Sequence, residues 1–147
     1  MPPLRSEEDR AALIAGVIDG TIDCITSNHV PREAETKHLE FPYADFGAIN
    51  LATSFAAAAT VLREQIDETQ LIDLFTTHPA AIIQQDLPSI AGGNIANLTI
   101  YQYNKEWTPD RKNNRSKSIN SPLWGTTLQG RPVGVINNGQ LFLRENH

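Results

Sequence analysis

The chain has 147 residues and a formal net charge of −5 built from mixed signs. That length allows one domain burying roughly two-thirds of its unfolded surface. The acidic balance gives no electrostatic reason to expect nucleic acid or an anionic membrane as partner. The weakly polar run at 56–62 is too short to span a bilayer, and MPPLRSEEDR has no apolar signal region, so a cytoplasmic location is the expectation. Cys24 is the single cysteine, so no internal disulfide can form. Its place in an apolar run predicts a buried, inert thiol rather than a nucleophile.

Ser6 followed by Glu7, Glu8 and Asp9 marks a helix start, with a capping hydroxyl and acids at the positive end of the dipole. Leu13, Ile14, Val17 and Ile18 share one face, and Gly20 offers a stop. The apolar, β-branched run 22–25 then predicts a buried strand, ended by the polar cluster Ser27-Asn28-His29. A long loop containing Pro31, Pro42 and Gly47 leads to a helical pattern over 48–62, with Ile49, Leu51, Ala52, Phe55, Ala59 and Leu62 on its apolar face. Helix, strand and helix in that order suit a parallel sheet wrapped by helices. In an α/β barrel, reactive groups lie at the C-terminal ends of strands and on the loops that follow. Chemistry is therefore expected first at Asn28, His29, Arg32 and the Phe46-Gly47 turn.

Further helices are expected over 68–75 and from Thr76-Thr77-His78-Pro79 onward, the second with a threonine hydroxyl as cap. After Leu87 the character changes: Pro88, Gly92 and Gly93 break the pattern, and 98–103 alternates as a strand does. The basic cluster 111–117 has no interleaved aromatic residue and reads as a solvated loop. Asn138-Gly139 predicts a hairpin turn, since both residues tolerate positive φ. The chain thus divides into an α/β segment, 1–86, and a small β-rich domain, 87–147. Two or three isolated strands leave edges and an apolar face open, so a partner is expected.

The ordered set PPLRSEEDR, DGTID, NHVPR, FPYADFG, TTHPA, IANLTIYQYNKEWTPD and SPLWG, with the terminal hairpin, resembles the C-terminal part of the dihydroorotases, zinc-dependent cyclic amidohydrolases of pyrimidine synthesis. The resemblance implies the C-terminal segment of a metal-dependent-hydrolase TIM barrel plus part of a small composite β domain. A complete barrel needs about 250 residues, so it also implies a truncated chain. In that family the strand ends in an Asp that helps hold the metal and takes a proton from the attacking water; the matching residue is Asn28. A carboxamide carries no negative charge and is not a useful base near neutral pH. Arg32 stands for a histidine that contacts the substrate carboxylate, and an arginine keeps that capacity. Phe46 and Gly47 match the turn whose backbone meets the substrate ring, and Met1 matches a substrate-contacting Asn. The remaining zinc ligands of the family have no counterpart here, so no complete metal site is expected for this chain alone.

Two functional readings follow. One is the C-terminal portion of a hydrolase interconverting dihydroorotate and carbamoyl-aspartate, inactive as this chain alone. The other is a non-catalytic structural or regulatory subunit, with aspartate carbamoyltransferase, a second copy of the chain or a missing N-terminal half as partner. A weaker third is a free-standing small-molecule binding module. Plain structural roles stand beside them: Asn28 closing a strand end, His29 packed and hydrogen bonded, Arg32 paired with an acid such as Glu35, Phe46-Gly47 as a tight helix entry, and Trp107 and Trp124 as packing anchors.

Overall fold

A computed structural model describes residues 5–87 and 89–144. Helix α1, Glu7–Ile18, begins in a full capping box: the Ser6 hydroxyl accepts from the Asp9 amide at 3.1 Å and the Asp9 carboxylate accepts from the Ser6 amide. Gly20 follows it at φ +79°, the left-handed conformation that glycine enters without steric cost. Three further helices match the expected pattern in part: α3, Ser54–Leu62; α4, Glu68–Asp73; and α5, Thr77–Ile82. A single turn of helix, α2, Ala34–Lys37, interrupts the long loop where none was expected.

Two elements differ from expectation for one reason. The strand over 22–25 is not formed. Ile22 donates to the Gly16 carbonyl at 2.8 Å and Ile25 to that of Leu74 at 2.9 Å, but no strand lies beside the segment among the described residues. A ladder needs two strands, and apolar character alone cannot supply the second. Likewise the helix expected from 48 starts only at Ser54. The residues before it are committed elsewhere: Val30 donates to the Ala48 carbonyl, and the Asn50 and Leu51 amides donate to His29. Smaller differences follow the same logic. The Thr76 hydroxyl donates to the Ile72 carbonyl instead of capping α5, and Cys24 is only half-buried.

The C-terminal part forms a three-stranded antiparallel sheet in the order β1, Leu98–Trp107; β2, Leu128–Asn137; β3, Gln140–Leu143. Asn138 (φ 49°) and Gly139 (φ 75°) make the two-residue turn between β2 and β3. Strand β1 runs four residues past the expected span and keeps pairing with β2 through two irregularities in register.

The sheet packs on α3. Ala59, Leu62, Ile66, Leu71 and Leu74 form the buried cluster, with Phe55 and Tyr103 against it. Gly130 in β2 takes φ +80°, while a Cβ there would meet Phe55 and Ala59 at an ordinary 3.7 Å, so backbone conformation rather than space calls for glycine where β2 meets α3. The Phe55 ring meets Tyr101 edge-on at 4.9 Å and Phe75 at 5.5 Å, geometries favoured by the ring quadrupoles. The Tyr101 hydroxyl donates to Glu68 at 2.6 Å, tying β1 to α4. Among the described residues no helix is long and apolar enough to cross a membrane.

Candidate functional site

Asn28 sits at φ 41°, a left-handed conformation in which asparagine is enriched over most residues, and it is exposed. From there the chain turns into a loop held by polar contacts. The His29 Nδ1 accepts from the amides of Asn50 (3.2 Å) and Leu51 (3.1 Å), which requires that nitrogen to be unprotonated and puts the ring proton on Nε2. His29 is therefore a tie between the loop and the turn before α3, its plain structural role.

Arg32 and the Phe46-Gly47 turn, fourteen residues apart, are brought together. The Arg32 Nε donates to the Phe46 carbonyl at 3.1 Å, and its Nη1 lies 3.7 Å from the Asp45 carboxylate. The acid beside Arg32 is thus Asp45 and not Glu35. Both partners of that pair are nearly half exposed, so it is a weak ion pair, and the guanidinium keeps donors facing water. Lys37 adds a second cation, its Nζ donating to the Asp45 carbonyl at 2.6 Å and the Gly47 carbonyl at 3.4 Å. Gly47 adopts φ 133°, and a Cβ there would lie 2.9 Å from the Val30 carbonyl oxygen, so only glycine fits. The Phe46 ring is 70% exposed. The amides of Phe46 and Gly47 donate to no group among the described residues.

Ser118 and Asn120, which carry no motif in the sequence, hold this loop in place. Ser118, 8% exposed, accepts from the Arg32 amide at 3.1 Å while its hydroxyl lies 2.6 Å from the Arg32 carbonyl. The Ser118 hydroxyl also touches the Asn120 side-chain oxygen. Asn120 Nδ2 donates to the Gly47 carbonyl at 3.0 Å and that of Val30 at 3.3 Å, and its own carbonyl accepts from the Ile49 amide. Two side chains near the end of a polar segment thereby clamp 30–32 to 47–49. Nothing local marks them, because their partners lie 73 to 90 residues away in sequence.

The other candidates stay apart. His78 Nδ1 lies 2.9 Å from the Asp23 carbonyl, and His38 is exposed. Met1 lies outside the described residues. Trp124 donates to the Ile119 carbonyl at 2.7 Å, and the Arg144 guanidinium stacks 5.0 Å from the Trp107 ring centre. Burial, with Arg131 and Arg115 nearby, pulls the Arg144 pKa down. Among the described residues no three His, Cys, Asp or Glu side chains converge as a metal site would require. The donors that the described residues bring together do not fit a zinc ion.

No family model matches the chain. It is 41% identical to a dihydroorotase of Aquifex aeolicus over 145 residues, 98% of this chain and 34% of that protein. A dihydroorotase of Listeria innocua is 38% identical over 146 residues, again covering 34% of the relative. Among solved structures, the L-hydantoinase (dihydropyrimidinase) of Arthrobacter aurescens superposes at TM-score 0.86 and 25% identity, over 99% of this chain and 34% of that one. A D-hydantoinase superposes at 0.81 with 21% identity over 33% of its length, a likeness of fold alone. So does the inactive dihydroorotase-like domain of a Chaetomium thermophilum CAD-like multifunctional protein, at 0.67 and 16% over 36% of its chain. The chain spans about a third of the length of the relatives it matches. In sequence and in fold it is a dihydroorotase-like segment, corresponding to the C-terminal portion of these cyclic amidohydrolases.

Proposed function

We propose that these residues form the substrate-side C-terminal portion of a dihydroorotase-like fold and do not, by themselves, interconvert dihydroorotate and carbamoyl-aspartate. The observation that carries this reading is Asn28, an amide at the position where the resemblance calls for a metal-holding, proton-accepting carboxylate. An amide neither binds zinc as an anion nor takes up the proton that water must lose. In the family zinc would polarise the amide and activate the water.

Binding chemistry is better supported than turnover. The Arg32 guanidinium is anchored through Nε on the Phe46 carbonyl with Nη1 3.7 Å from the exposed Asp45 carboxylate, and the Phe46 and Gly47 amides donate to no group among the described residues. That set suits a carboxylate on a small ring, with arginine taking the charge and the backbone orienting the ring. The same Asn28 favours a second reading, a non-catalytic structural or regulatory subunit in a cytoplasmic assembly, with aspartate carbamoyltransferase as one partner to test.

Turnover of dihydroorotate by the purified chain with zinc supplied is the test. No turnover above the buffer rate is expected, and Asn28→Asp is expected to leave that unchanged, because one carboxylate cannot replace a ligand set. Chelator-sensitive turnover by either protein would overturn the reading.

A further inference from the structure

The turn at 45–47 is held from behind, by its carbonyls. Lys37 closes α2, and its Nζ donates to the Asp45 carbonyl at 2.6 Å and reaches that of Gly47 at 3.4 Å. Asn120 Nδ2 shares the Gly47 carbonyl at 3.0 Å. The Asp45 amide donates back to the Thr36 carbonyl of α2 at 3.0 Å, so helix and turn are tied in both directions. A lysine ordinarily sends its ammonium group to water. Lys37 is half-buried instead, with no carboxylate at ion-pair distance among the described residues. Its charge falls on two peptide groups.

A trans peptide is planar, with its N–H opposite its C=O. Asp45 and Phe46 share one peptide unit, and Gly47 and Ala48 share another. With both carbonyls drawn to Nζ, the Phe46 and Ala48 amides leave on the side away from Lys37. Neither donates to a group among the described residues. A cation on the carbonyl side of a peptide also polarises it, which strengthens the N–H as a donor.

From these contacts we propose that Lys37 is a positioning residue, which fixes and polarises two peptides so that the Phe46 and Ala48 amides meet an acceptor oxygen of a ring-bearing carboxylate. Asn120 supports the second of those peptides. The proposal rests on the reading of this turn as the substrate side, given above, and adds to it the group that sets the aim of the turn.

Amide NMR on the isotope-labelled whole chain tests it, with L-dihydroorotate as the probe and Lys37→Met and Lys37→Arg as the variants. Methionine keeps most of the stem without the charge, and arginine keeps the charge. Without ligand, the Phe46 and Ala48 amide nitrogen resonances are expected to move upfield in Lys37→Met and to return toward the parent in Lys37→Arg. On titration both amides of the parent are expected to shift. Lys37→Met is expected to bind about tenfold more weakly, the worth of one charge-assisted hydrogen bond, and Lys37→Arg to recover most of that loss. Hydrogen-exchange protection at Asp45 and Val30, whose amides donate to Thr36 and Ala48, is expected to stay in both variants, which separates positioning from collapse of the loop. Unmoved Phe46 and Ala48 resonances in ligand-free Lys37→Met would overturn the proposal. So would equal affinity of Lys37→Met and the parent, equal weakness of the two variants, or a loss of binding accompanied by lost protection at Val30. A parent chain that does not respond to dihydroorotate removes the substrate-side reading instead, and the ligand-free resonances then decide on Lys37 by themselves.

Discussion

The packed body around α3, α4 and β2 and the loop stretch 22–53 hold their shape by different means. In the body, Leu71 and Ala59 are wholly buried and Leu62 and Leu74 nearly so. In the stretch, Ile49 is the one apolar side chain that reaches full burial, while Phe41, Phe46 and Leu51 are each more than two-thirds exposed. Apolar burial holds the first. The second is held by the polar ties of His29, Arg32, Ser118 and Asn120. The candidate residues Asn28, Arg32, Phe46 and Gly47 lie in the second region, so the candidate site depends in part on hydrogen bonds from Ser118 and Asn120, far away in sequence.

The comparison can be broken from either side. Leu71→Ala should do the most damage, about 2–5 kcal/mol of stability, because it opens a cavity at a fully buried position of the core cluster; denaturant unfolding measures it. Gly47→Ala should cost about 1–3 kcal/mol, since the positive φ and the Val30 carbonyl both exclude a Cβ. Its additional signature is loss of hydrogen-exchange protection at Val30 with the body still folded. Ser118→Ala should cost about 1–3 kcal/mol by stranding the Arg32 amide and carbonyl. That loss should be confined to the same loop.

A smaller effect is a pH dependence in the body. Burial and the hydrogen bond to Glu68 push the Tyr101 hydroxyl well above its ordinary value. The native state therefore holds a proton that the unfolded chain releases near pH 10. Its contribution is complete below about pH 10 and is lost as pH rises toward the folded value. Thermal midpoints of Tyr101→Phe should fall less steeply above pH 10 than those of the parent. Leu13→Asp should be the mildest change, within about 0.5 kcal/mol in the isolated chain, because its side chain is more than half exposed.

What could be read from sequence divides along the same line. The α1 capping box, the Asn138-Gly139 hairpin and the periodic faces of α3 and α4 are local, each decided by residues within a turn or two. The 22–25 strand depends on a neighbour that these residues do not supply, so its composition predicted a ladder that did not form. The first turn of the expected 48–62 helix was lost to His29, a contact invisible to periodicity. Arg32 and Phe46-Gly47 were legible as candidates through the resemblance, but their clamp by Ser118 and Asn120 was not, because a Ser-x-Asn in a polar segment has no distinguishing pattern.

The central claim is that Asn28 and its surroundings form a binding surface and not a metal-centred hydrolytic site. Zinc stoichiometry of the purified chain, by equilibrium dialysis at neutral pH, tests it most directly. The account predicts no stoichiometric zinc, and no gain from Asn28→Asp. One tightly held zinc per chain, lost when Asn28 is changed to Ala, would contradict it.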